Sequence, residues 1–287
     1  MSDEARKREG AARELTAGDP SVLADILSRF LRDETRKAGF ERAVLGLSGG
    51  IDSSLAAALA VRALGAANVC GVLMPYGRTG LGAESVADAE LVARHLALPT
   101  EIVDIAPLVD AHFAADPAAT PLRRGNFMAR MRMAVLFDRS MRDRALVVGT
   151  SNKSELLLGY GTLYGDLASA LNPLGDLYKT QVRVLSRHLG LPESIISKPP
   201  SADLWPGQTD EGELGFTYAE VDLVLHLLVD RRLTAAEIAE HGFTTAFIAE
   251  VEHKIRTSQF KRRLPLIAKL SGRTVGLDFR YPRDWGI

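Results

Sequence analysis

The chain has 287 residues, a formal net charge of −1, and 46% hydrophobic and 25% charged residues. This balance suits one large α/β domain or two small ones and excludes a disordered chain. Near-neutral charge argues against general binding to nucleic acid, and the single Cys70 excludes an intrachain disulfide or a Cys-based zinc site.

Residues 1–20 are polar and are expected to form a frayed extension, with 21–287 as a single domain. The N-terminus lacks the apolar core of a signal peptide, and no run reaches the ~18 apolar residues of a membrane span. A cytoplasmic location is therefore expected. From Ser21, Val22, Leu23, Ile26, Leu27, Phe30 and Leu31 recur at helical spacing. Ala43 to Leu47 is a continuous apolar run, as in a strand buried on both faces. Leu55 to Leu64 predicts a helix closed by Gly65. Val69 to Met74 predicts a strand carrying Cys70 as a buried thiol, Ala83 to Leu98 a helix, and Glu101 to Ile105 a strand. A long helix over Leu122 to Arg142 precedes a strand over Ala145 to Val148. The alternation predicts an α/β fold, a doubly wound parallel sheet with helices on both faces.

Beyond Gly149, Leu158 to Asp176 is rich in Gly, Tyr and Asp and predicts a structured loop. Thr180 to Leu189 predicts a helix. Residues 197–215 combine prolines, glycines and acids, and are expected to form a mobile lid or a binding loop. Phe216 to Ile255 is helical in pattern, and a basic tail follows.

The strongest chemical signal is Gly46-Leu47-Ser48-Gly49-Gly50-Ile51-Asp52-Ser53-Ser54, between the apolar strand and the next helix. Its glycines admit an anion close to the backbone, its hydroxyls can add hydrogen bonds, and the helix aims unpaired N–H groups at the same point. A phosphate therefore fits. Asp52 would repel that phosphate unless a divalent cation lay between them, which makes it a candidate Mg²⁺ ligand. No Gly-Lys-Ser/Thr follows, so this is no Walker loop, and no third glycine completes a dinucleotide fingerprint. A plain Gly-Ser turn capping a helix is the structural alternative.

The run resembles the SGGxDS pyrophosphate-binding loop of the ATP pyrophosphatases. Four later blocks narrow the resemblance: Gly149 to Glu155, Gly159 to Asp166, Asn172 to Gln181 and Pro200 to Glu211. With them the chain resembles NAD synthetases from roughly Ser21 to Pro265. That likeness implies an adenine nucleotide alpha hydrolase-like fold and the ATP-dependent amidation of deamido-NAD to NAD, the last step of NAD biosynthesis. ATP would adenylate the nicotinate carboxylate, and ammonia would displace AMP.

The resemblance also implies roles for residues. Gly46, Leu47, Ser48, Gly49, Gly50, Ile51, Asp52 and Ser53 would bind ATP, with Thr150, Lys179 and Ser201. Asp52 and Glu155 would hold Mg²⁺, and Asp52, Lys179 and Asp166 would act in catalysis, Asp166 by holding ammonium or substrate. Asn126, Arg130, Phe260 and Lys261 would bind deamido-NAD, Phe260 replacing a histidine of some members. Each has a structural alternative: a first-turn helix acid for Glu155, a cap for Thr150 or Ser201, a loop-structuring role for Asp166, a surface or tail role for Lys179 or Lys261.

Leu163 and Ala170 stand where many ammonia-dependent members have Lys and Asp, and here the chain looks more like the glutamine-dependent enzymes. Those carry an N-terminal glutaminase domain, for which there is no room before Gly46. Ammonia from solution is the simpler expectation, a separate glutaminase being possible but not required. The resemblance further implies a homodimer, with neither nucleic acid nor membrane as partner.

Overall fold

The computed structural model describes residues 2–77, 81–201, 209–263 and 265–275. Among these, four parallel strands form one sheet: β1 (Arg42–Gly46), β2 (Val69–Leu73), β3 (Thr100–Ile102) and β4 (Ala145–Val147), in the order β3-β2-β1-β4. Side chains alternate along β1. Ala43 and Leu45, with Leu47 just beyond, share a core with α2 (Pro20–Lys37), α3 (Ile51–Leu64), α4 (Leu81–His95) and α8 (Lys179–His188). Val44 joins the opposite core with Val109 and Phe113 of α5 (Ala106–Phe113) and Met128 of α6 (Pro121–Asp143). Helices thus cover both faces, as a continuously apolar strand requires.

Leu45 pairs with Gly71 of β2 on one side, and Val44 with Val147 of β4 on the other. The strand order reverses between β1 and β4. Outside the carboxyl ends of two such strands, their loops diverge and leave a crevice, the usual ligand site of an open parallel sheet.

A second core lies under the C-terminal half. It joins Leu158 of α7 (Lys153–Leu158), Leu214 of α10 (Asp210–Leu214) and the inner faces of α11 (Tyr218–Leu225), α12 (Ala235–Ala239) and α13 (Thr245–Thr257). The short α9 (Glu193–Ile196) returns Ile195 and Ile196 to the first core. The N-terminal residues are not a frayed extension: α1 (Asp3–Leu15) is capped by Ser2 and buries Ala11 and Leu15 in the second core. Two inward residues, four apart, suffice to dock a helix that is otherwise charged.

Other elements differ from expectation in extent. β3 stops at Ile102, and Asp104 Oδ1 accepts the N–H groups of Gly77 (3.0 Å) and Ala106 (2.9 Å), starting α5, which has no counterpart in the sequence reading. Cys70 is half-buried rather than enclosed, and burial pushes its thiol above the ordinary range. The arginines of α6 are largely fasteners: Arg139 and Arg142 both grip Glu101 of β3, and Arg132 Nε donates to Met74 O (3.0 Å). The helical stretch from Phe216 to Ile255 is broken by a π-turn at His226–Asp230. Of the expected lid, residues 202–208 lie outside the described residues, while α10 orders its far end. No helix is long and apolar enough to cross a membrane among the described residues.

Candidate active site

The loop after β1 is shaped by its own hydroxyls. Ser53 Oγ lies 3.0 Å from Ser48 Oγ and donates to Gly50 O (3.0 Å), while Gly50 N–H donates to Ser48 Oγ (3.2 Å). These two hydroxyls set the loop's curvature. Gly49 has φ +82°, and a Cβ there would fall 2.7 Å from Asp88 Cβ and 2.8 Å from Ser85 O. Only glycine fits. Gly50 is the N-cap of α3 but has no side chain to cap with, so the first-turn N–H groups remain open to an anion.

The loop after β4 carries Thr150, half-buried, and then Asn152, fully buried. Asn152, not Thr150, caps α7: its Oδ1 accepts Glu155 N–H (3.0 Å), and Glu155 Oε2 accepts Asn152 N–H (3.3 Å). With Oδ1 so engaged, the Asn152 amide turns its Nδ2 to Asp52 Oδ1 at 2.9 Å. One side chain thus joins the two crevice loops.

Lys179 opens α8 and is 2% exposed. Its Nζ contacts Asp52 Oδ2 and lies 3.3 Å from Glu155 Oε1, with the Tyr218 ring 5.1 Å away. A surface role for Lys179 is therefore excluded, and Glu155 is no solvated helix acid. Burial opposes the lysine's charge, but the Asp52 and Glu155 carboxylates outweigh it and raise Lys179 above its ordinary value. Glu155 goes up to about 8, driven first by burial and then by the nearby Asp52 and Asp210 charges, against the pull of Lys179.

Two acids at the site carried no role in the sequence reading. Asp210, 4% exposed, accepts Tyr160 OH (3.0 Å) and is pushed up by burial against the charge of Lys179. Its place within the block Pro200 to Glu211 was the available signal. Asp222, fully buried, accepts Ser154 Oγ (2.5 Å), Thr180 N–H (2.8 Å) and Thr180 Oγ1 (2.7 Å). It ties α7 to α8 and so sets Glu155 against Lys179. No local pattern marks it, because its partners lie far apart in the chain.

The residues expected to bind deamido-NAD gather around the loop after α7. Asn126 Oδ1 accepts Thr162 Oγ1 (2.7 Å), and Arg130 Nε donates to Leu163 O (3.3 Å). Lys261 Nζ donates to Gly159 O (2.8 Å) and Gly161 O (2.9 Å), while the neighbouring Phe260 is 62% exposed. Asp166 closes the same loop, its Oδ1 accepting Thr162 N–H at 2.8 Å, and keeps an exposed face. The structure brings these five together but not into the Lys179 cluster. Ser201 is half-buried at the start of the lid segment.

A glycine-serine loop and a lysine–carboxylate cluster, facing each other across the switch point of a parallel sheet, define an ATP-using enzyme of adenine nucleotide alpha hydrolase-like fold. The NAD synthase family model matches residues 23–265. The NH(3)-dependent NAD(+) synthetase of Trichlorobacter lovleyi is 58% identical over 92% of this chain and 96% of its own length. That of Chlorobium phaeovibrioides is 56% identical, over 92% and 95%. Among solved structures, the NH3-dependent NAD synthetase of Campylobacter jejuni superposes with TM-score 0.75 at 35% identity, over 88% of this chain and all of that one. The NMN synthetase of Francisella tularensis gives TM-score 0.76 at 32% identity, over 88% and 99%. The chain belongs to the NAD synthase family.

Proposed function

We propose that this chain amidates deamido-NAD to NAD with ATP and free ammonia, through an acyl-adenylate that releases pyrophosphate and then AMP. The observation that carries the reading is the placement of Asp52, Glu155 and Lys179 together beside the open N-terminus of α3. The helix end and glycine loop receive phosphate oxygens. Lys179, preorganised beside two carboxylates, turns its charge to the phosphates when ATP enters, and stabilises negative charge as pyrophosphate leaves.

The donor set also fits Mg²⁺. Asp52 and Glu155 both contact the Lys179 ammonium, Asp210 lies near enough to feel its charge, and all three offer hard oxygen atoms. No group of three or more His, Cys, Asp or Glu could hold a metal among the described residues, so an ion there needs substrate phosphates to complete its shell. Asp52 and Glu155 would hold it, and it would neutralise the departing charge.

Asn126, Arg130, Phe260 and Lys261 form the deamido-NAD side of this reading, and Asp166 the ammonium side. Thr150 and Ser201 belong with ATP. A homodimer, supported by the family resemblance alone, and a cytoplasmic location, supported by an N-terminus without the apolar core of a signal peptide, complete the proposal. The test is incubation of the purified chain with ATP, Mg²⁺, deamido-NAD and ammonium, with the deamido form of NMN run in parallel. NAD, AMP and pyrophosphate in equal amounts are expected, and glutamine should not replace ammonium. ADP as the only nucleotide product would overturn the adenylation step.

A further inference from the structure

Tyr160 bridges the two halves of the site, the loop after α7 and the Lys179 cluster. Its backbone belongs to the first. The Tyr160 N–H donates to Glu155 O (2.9 Å) at the end of α7, and the carbonyls on either side of it, Gly159 O and Gly161 O, accept Lys261 Nζ at 2.8 and 2.9 Å. Gly159 has φ +69°, and a Cβ there would fall 2.0 Å from Ser258 Cβ, so the backbone has no room to shift toward α13. The ring is half-buried and packs on the second core. The phenol therefore points where this pinned backbone sends it.

Its hydroxyl belongs to the second half. It lies 2.7 Å from Glu213 Oε2 and 3.0 Å from Asp210 Oδ1, both on α10. Burial and those two acids hold the phenol protonated, so it donates. A single hydrogen serves two carboxylates, and without it like charges would face each other across the gap. Asp210 has other ties: its N–H donates to Pro200 O (2.9 Å), and its Oδ2 accepts Tyr218 OH at 3.4 Å. Tyr218 is fully buried, with its ring 5.1 Å from Lys179 Nζ. Asp210 thus stands beside the Lys179 centre, where its charge acts on Lys179 and on Glu155 alike.

Two events meet at the Tyr160 oxygen. When phosphates draw the Lys179 ammonium, Asp210 loses part of its counter-charge and gains an anion nearby, so its seat changes. When a ligand takes the third N–H of Lys261, or draws it from the glycine carbonyls, the backbone carrying Tyr160 is loaded differently. We infer, on the ATP and deamido-NAD reading of the two halves, that Tyr160 is a positioning residue that couples them, its hydroxyl setting Asp210 against Lys179 according to the state of the loop that Lys261 holds.

The test compares the full chain with Tyr160→Phe, which keeps the ring and loses one oxygen. Calorimetry in Mg²⁺ measures deamido-NAD binding alone and then with saturating α,β-methylene-ATP, whose α–β bridge cannot be cleaved. In the parent, the analogue should change deamido-NAD affinity at least fivefold. In Tyr160→Phe each ligand alone should bind within about threefold of the parent, while the coupling shrinks below about twofold. Its kcat should fall at least tenfold with both KM values little changed. A residue serving stability alone would leave the coupling factor intact. Asp210→Ala, which removes the same contact from the other side, should lose the same coupling, and adding Tyr160→Phe to it should change little more; a further independent loss would overturn the proposal. A variant that keeps the parent's coupling, or a parent that shows none, would overturn it and leave the amidation reading standing. A parent that binds neither nucleotide would overturn both.

Discussion

Glu155→Gln should make the ligand-free protein more stable at alkaline pH while abolishing turnover. The carboxyl rises from its ordinary 4.5 to about 8 in the folded chain, because burial and the Asp52 charge oppose its ionisation. A carboxyl raised in this way binds more protons folded than unfolded. Stability is therefore lost as pH climbs from 4.5 through about 8, and is level above that. At 1.36 kcal/mol per unit, that interval sets a ceiling of about 5 kcal/mol. The side chain is 15% exposed, so water at its rim screens part of this, and about 1–3 kcal/mol should be observed. Gln cannot accept from both Asn152 N–H and Lys179 Nζ as the carboxylate does, which costs about 1 kcal/mol at every pH. The variant should thus be slightly less stable than the parent at pH 5 and more stable at pH 8 to 9. Urea unfolding at a series of pH values reads the crossing directly. A gap between the two proteins that stays constant with pH would refute the reasoning.

Other perturbations follow from the same geometry. Asp222→Ala strands Ser154 Oγ and both Thr180 donors, and should cost about 2–4 kcal/mol in urea unfolding; a loss below ~1 kcal/mol would show that the network is not structural. Gly49→Ala must move Asp88 or the α4 backbone at Ser85, so ATP binding measured by calorimetry should fall by at least tenfold. Asp52→Asn keeps its hydrogen bond from Asn152 in one amide orientation but loses the charge facing Lys179. Adenylation should drop by at least a hundredfold with the circular dichroism spectrum unchanged, and normal turnover at saturating Mg²⁺ would remove its assigned role. Removing Mg²⁺ with a chelator should abolish pyrophosphate release in the parent protein without unfolding it; unchanged release would remove the metal from the reaction.

Much of this molecule is set by local sequence. The apolar runs at Ala43 to Leu47 and Ala145 to Val148 are continuous because both faces of each strand are covered, and continuity is visible in one dimension. The loop from Gly46 to Ser54 is equally legible, since anion binding needs neighbouring glycines before a helix. Residues 3–15 read as a polar extension because their docking depends on only two inward residues, Ala11 and Leu15, within a charged segment. Asp222 and Asp210 matter through partners distant in sequence, so only packing reveals them.

Sequence alone therefore determined the sheet and the glycine-serine loop, and named Asp52, Glu155 and Lys179 as candidates for the reaction. Tertiary structure decided their electrical state. Asp52, Glu155 and Lys179 lie on α3, α7 and α8, and only the fold sets one lysine against both carboxylates, joined through Asn152. Burial, with the Asp52 charge beside it, raises Glu155 to about 8 against the pull of Lys179, and the two carboxylates hold Lys179 charged despite its own burial.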